Sequence, residues 1–160
     1  MSANETLFDK AQQNLKVAKK IYTLAEEDDV YLNYVAYHLQ QAVEMTLKYY
    51  LEENGINYPK THDIDQLIRI IHKDNVPCPI TEYIDEHSEM FSLWESKTRY
   101  VLNYQTERRK IERALEEVNV FVIDAKNSFL KTNGFINCHP DELNKDENDQ
   151  IDLDDNELGM

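Results

Sequence analysis

The chain has 160 residues, 41% of them apolar, with only three glycines and four prolines, and a formal net charge of −14. That length suits one domain with a sizeable core, and few breakers among many Leu, Lys, Glu and Ala point to helix. The acidity excludes bulk, sequence-independent coating of nucleic acid; with no apolar run of about 18 residues and no signal peptide, the expectation is a soluble, cytoplasmic protein without a membrane partner.

Ser2, Ala3, Asn4 and Glu5 have the spacing of a capping box and predict the start of a first helix. Leu7, Ala11, Leu15, Ala18, Tyr22 and Ala25 continue it as one apolar stripe. Glu26 to Asp29 form a short acidic loop. The second helix is expected over residues 30–53, with one stripe through Leu32, Val35, Ala36, Leu39, Val43, Leu47 and Tyr50. Tyr31, Tyr34, Ala42, Met45 and Tyr49 make a second stripe. A helix apolar on two sides belongs at the centre of a bundle. Asn54-Gly55 supplies a left-handed stop.

A loop with Pro59 leads to Asp63, which caps a short third helix carrying Ile64, Leu67, Ile68 and Ile71. A fourth helix is expected from about Thr81, with Ile84, Met90, Phe91 and Trp94. The last helix carries Ile111, Leu115, Val118, Val122, Ala125 and Phe129, and Tyr104 is expected near its first turn. Asn133-Gly134 is its expected end. The predicted fold is all-α: a five-helix up-and-down bundle over residues 1–136. An acidic, flexible tail is expected over 137–160. From His139 to Met160 the chain holds nine acids and one lysine.

Enzyme signatures are sparse. There is no glycine-rich phosphate loop, no Gly-x-Ser-x-Gly elbow and no Cys-x-x-Cys. Cys138-His139 lacks the spaced second pair of a zinc site, so no metal and no cofactor is expected. Cys78 and Cys138 read as free thiols. His62 beside Asp63 resembles an acid–base pair, but Asp63 also sits where a helix cap belongs. The tyrosines of the second helix could stack bases or fill a core or dimer interface.

The remaining candidate is the segment Lys97 to Arg113, with six basic residues against Glu107 and Glu112. Arg99, Tyr100, Tyr104, Arg108 and Arg109 lie in or just before the last helix. A helix N-terminus favours anions, and Arg99 adds a fork of donors suited to phosphate. The alternative is a solvated face of helical ion pairs with Glu107, Glu112 and Glu116.

The segment His38–Ile68, "HLQQAVEMTLKYYLEENGINYPKTHDIDQLI", resembles the HEPN domain family. Ala42, Glu44, Lys48, Lys60, Thr61, His62, Asp63 and Leu67 sit where that family's pattern places them, and "RYVLNY" falls at its arginine motif. The resemblance spans roughly Leu7 to Leu130. It implies a helical bundle, commonly a homodimer, and often a nucleotidyltransferase-like partner in a toxin–antitoxin pair. Many members are metal-independent ribonucleases using Arg-x(4–6)-His; others bind nucleotides or RNA. Arg99 matches the arginine, whereas none of Tyr104 to Arg108 is histidine and Tyr104 stands at the first permitted position. A tyrosine, with an ordinary pKa near 10, is a poor proton acceptor at neutral pH.

The first reading is therefore a non-catalytic module binding a nucleotide, an RNA or a nucleotidyltransferase partner through Arg99, Tyr100, Tyr104, Arg108 and Arg109. The second is a metal-independent ribonuclease toxin in which Arg99 stabilises charge and Tyr104 or His62 moves a proton. The third is a structural interaction protein whose acidic tail mimics nucleic acid or tethers a basic partner.

Overall fold

The computed structural model describes residues 4–137, which form six α-helices and no strand. Two compact units are distinguished, Met1–Ala125 and Lys126–Met160. The core and every site below belong to the first. The expected tail, with Cys138 and His139, lies outside the described residues.

Helix α1 spans Leu7–Ala25 and begins one turn later than expected. Ser2 lies outside the described residues, and the reciprocal cap is made by Thr6 and Asp9. The Asp9 amide donates to Thr6 Oγ1 at 3.0 Å, and the Thr6 amide donates to the Asp9 carboxylate at 2.9 Å. Glu5 instead accepts from the Gln13 side chain and pairs with Lys10. A 3-10 turn, Asp29–Tyr31, capped by the Asp28 carboxylate, leads into α2, Leu32–Glu53. α2 ends as expected: Gly55 takes φ +68°, a conformation glycine adopts without strain, and the Ile56 amide returns to the Leu51 carbonyl.

Helix α3, Ile64–Lys73, is capped by Asp63, whose carboxylate accepts from the Gln66 amide. Capping is thus the role the structure shows for Asp63. The expected fourth helix is two helices, α4 at Glu82–Glu86 and α5 at Ser88–Tyr100. His87 breaks it. Its ring stacks on Tyr83 at 4.0 Å, and the Tyr83 carbonyl is shared between the His87 amide at 2.9 Å and His87 Nδ1 at 2.8 Å. Helix α6 spans Arg108–Asn137, so it starts after Tyr104 and continues through Asn133-Gly134.

α2 packs against α1, α3 and α5. Its first stripe is buried throughout, and Ala42 of the second is also buried. Trp94, Phe91 and Phe121 are the largest fully buried side chains, and the Phe91 and Trp94 rings meet edge to face. From α6, Ala114 and Phe121 join Ile111, Val118, Val122 and Ala125 in the core, whereas Leu115 and Phe129, also expected in that stripe, are only part-buried. No helix among the described residues is long and apolar enough to cross a membrane.

Candidate functional site

Helix α2 buries four polar side chains among its apolar ones: Gln40, Gln41, Glu44 and Thr46. Thr46 returns its hydroxyl to the Ala42 carbonyl. The other three form a chain. Gln41 Nε2 donates to Gln40 Oε1 at 2.6 Å, and Gln40 Nε2 donates to Glu44 Oε1 at 2.7 Å. Gln40, Glu44 and Lys48 stand four residues apart, so they stack on one face of the helix. Lys48 Nζ reaches Glu44 Oε2 at 2.8 Å.

A carboxylate with only 3% of its residue surface exposed is costly unless it is paired and hydrogen-bonded. Glu44 has one more partner to meet that need. His62, in the loop before α3, places Nδ1 at 3.0 and 3.1 Å from the two Glu44 oxygens.

Helix α5 supplies the opposite wall. Glu95 and Arg99 are one turn apart, and Arg99 Nη2 binds Glu95 Oε2 while Arg99 Nε donates to the Glu95 carbonyl at 2.8 Å. The guanidinium lies 5.0 Å from the Tyr37 ring centre and 4.6 Å from that of Tyr100. Such ring faces attract a cation. His62 Nε2 is 3.9 Å from Glu95 Oε2, the same oxygen that holds Arg99. The His62 loop therefore bridges α2 and α5.

The layering matters chemically. The Glu44 and Glu95 side chains are buried, whereas His62 is 60% and Arg99 38% exposed. The formal charges of Glu44, Glu95, Lys48 and Arg99 cancel. Solvent thus meets a guanidinium anchored by Glu95 and an imidazole hydrogen-bonded to Glu44 through Nδ1 alone. Among the described residues, no group of three His, Cys, Asp or Glu side chains is arranged to hold a metal ion.

The structure brings Arg99, Tyr100 and His62 to this edge and puts the other candidates elsewhere. Tyr104 lies in the α5–α6 loop, its carbonyl accepting from Asn33 Nδ2 at 2.7 Å and its ring under Lys97 Nζ. Arg108 Nη2 binds the Ala25 carbonyl and the Asp29 carboxylate, tying the start of α6 to the end of α1. Arg109 lines a separate cleft of about 1090 Å³ with Glu82, Tyr83, His87 and Arg113. Cys78 is half-buried, and burial pushes its thiol well above the ordinary range, which disfavours the reactive thiolate.

The sequence does not single out Glu95 or Gln40, and it marks Tyr37 only as one of the α2 tyrosines, not as a partner of Arg99. The available signal was polar spacing: Gln40–Glu44–Lys48 and Glu95–Arg99 both repeat at four residues inside apolar helices.

The family model described as HEPN domain matches residues 4–127. No curated protein and no solved structure matches the chain.

Proposed function

The chain belongs to the HEPN domain family, and on that footing we propose that it is a non-catalytic module that binds the phosphate of a nucleotide or RNA at the Arg99 edge. One observation carries the reading: the Arg99 guanidinium is fixed between the Tyr37 and Tyr100 rings and anchored by Glu95, yet remains partly open to solvent. A pre-oriented fork loses little freedom on meeting a phosphate. Tyr100, 69% exposed, offers a ring face to an adjoining base.

The module acts as a homodimer or beside a nucleotidyltransferase-like chain. Tyr100, Val101 and Leu102 form an exposed apolar knuckle at the end of α5, which supports a protein partner next to the ligand edge. Sedimentation at micromolar concentration reads the dimer, and a stable monomer contradicts it.

The test of the ligand is calorimetric titration with adenosine monophosphates and short oligoribonucleotides, for wild type and Arg99→Ala. Binding by wild type that is lost in the variant supports the site. Equal binding by both, or none by wild type, rejects it.

A metal-independent ribonuclease is the second reading, favoured by the approach of His62 to the Glu95 oxygen that holds Arg99. Here His62, from a distant loop, would stand in for the histidine absent from residues 104–108. RNA cleavage in EDTA, lost in both Arg99→Ala and His62→Ala, would select this reading over the first.

A further inference from the structure

The side of α5 turned away from Arg99 borders a groove. At about 100° per residue, Met90 and Leu93 lie across that helix from Glu95 and Arg99. The cleft of about 1090 Å³ beside Tyr83 continues past Met90 into a second cavity of about 430 Å³, and Met90, Glu107 and Lys110 line both. The inner end is apolar: Leu93, 41% exposed, lines it together with Trp94 and Tyr104.

The rim is acidic. Glu82 and Glu86 line the cleft and Glu89 the inner cavity, four and three residues apart, which is the spacing of one helix face. All three are exposed, and their carboxylates have no hydrogen bond or ion pair among the described residues. Most of the groove's own cations are already engaged. Lys110 pairs with Glu107 at 3.1 Å, and Arg113 reaches Glu117 at 3.3 Å while lying over the Tyr83 ring. Among the described lining residues, that leaves Arg109 to face the unpaired Glu82, Glu86, Glu89 and Glu116. A concave wall dominated by one sign of charge concentrates the opposite sign.

We propose that this groove is an interaction surface separate from the Arg99 edge, and that its occupant is a basic segment of a partner protein carrying one bulky apolar side chain among its lysines or arginines. The apolar side chain fills the end formed by Leu93 and Trp94, and the cationic groups meet Glu82, Glu86 and Glu89. Charge and shape together select that chemistry. A nucleic acid would bring phosphates to a row of carboxylates and be repelled. A polyamine matches the charge but has no bulky group to bury against Leu93. The chain as a whole, at net −14, draws a basic partner from a distance.

The test uses the full chain and a pair of fluorescently labelled, lysine-rich synthetic peptides of equal charge, one with a central leucine and one with serine in its place. Wild type is expected to bind the leucine peptide more tightly. The triple variant Glu82→Gln, Glu86→Gln, Glu89→Gln is expected to weaken both peptides roughly tenfold, the worth of three exposed ion pairs. Leu93→Ser, at a position open enough to leave the core intact, is expected to weaken the leucine peptide alone.

A second triple variant, Glu26→Gln, Glu27→Gln, Asp124→Asn, removes the same charge from exposed positions outside the groove and is expected to bind nearly as wild type. Equal weakening by the two triple variants would reveal diffuse attraction to an acidic chain and overturn the groove as the site. Equal binding of the two peptides by wild type overturns the proposed occupant in favour of a plain polycation, and displacement of both by spermine would identify it. Failure of wild type to bind either peptide overturns the proposal outright. Each of these outcomes leaves the phosphate reading of Arg99 to its own titration, because the groove is lined by other residues.

Discussion

His62 and Arg99 converge on a single oxygen, Oε2 of Glu95, the first through Nε2 at 3.9 Å and the second through Nη2. The two residues come from different elements, and neither is next to the other in the chain. Their meeting joins an exposed guanidinium to an exposed imidazole above two buried carboxylates. His62 reaches the edge beside Arg99 from the loop before α3, and not from the residues that follow Arg99 in the chain.

Arg99→Lys separates charge from shape. The ammonium keeps the charge but loses the planar fork and its stacking on Tyr37 and Tyr100. A charge-assisted hydrogen bond contributes about 1.5–3 kcal/mol, so Arg99→Ala should weaken phosphate binding roughly tenfold or more. Lysine should recover only part of that. Calorimetric titration of the three proteins with one nucleotide measures it, and full recovery by lysine would show that geometry is irrelevant there.

Asn33 holds the α5–α6 loop. Its Nδ2 donates to the Tyr104 carbonyl at 2.7 Å, and its Oδ1 accepts from the Thr106 amide at 2.9 Å. Asn103, in the same loop, is strained at φ +65°. Asn33→Ala should cost about 1–3 kcal/mol, because it leaves two backbone groups unpaired. The direct readout is hydrogen exchange at the Thr106 amide, which should accelerate well beyond that of core amides in α2. Unchanged exchange there would mean the loop is held by other contacts.

Much of this fold is legible in the sequence, and the reasons for the rest are specific. The stripes of α1, α2, α3 and α6 follow helical period, and the start at Asp63 and the stop at Asn54-Gly55 follow local chemistry. The break at His87 does not: it lies in that residue's backbone, at φ −109° and ψ 21°, and no glycine or proline marks it. The start of α1 falls one turn beyond the Ser2–Glu5 pattern because Thr6 and Asp9, directly after it, make the reciprocal cap. The basic run Lys97–Arg113 looked like one corner, but it crosses a loop and then turns about 100° per residue in α6. Arg108 thus reaches the end of α1 while Arg109 lines the cleft beside Tyr83. Glu44, His62 and Glu95 come from three elements, and only the packing of α2 on α5 brings them together.

Thr6→Ala removes the cap of α1. The hydroxyl satisfies the Asp9 amide, and the expected loss is about 1 kcal/mol. Asp9→Ala breaks the other half of the same box, so the double variant should lose less than the sum of the singles. Urea unfolding of the four proteins gives the coupling; strict additivity would mean the two bonds act independently.

His38 gives the protein a pH-dependent component of stability. It lies half-buried between α1 and α2, with Nδ1 at 2.7 Å from Asn14 Oδ1 and its ring against Tyr37. Burial pushes its pKa below the ordinary value near 6.5, because the charged form is poorly solvated there. The unfolded chain then binds more protons than the folded one between the lowered folded value and about 6.5. By linkage, the contribution of His38 is fully present above about pH 6.5 and is lost as pH falls through that window. His38→Gln keeps a donor for Asn14 and removes the titration. Unfolding free energies measured at pH about 7.5 and 5.5 should fall further for wild type than for the variant. Equal falls would place the acid sensitivity in the carboxylates and clear His38 of it.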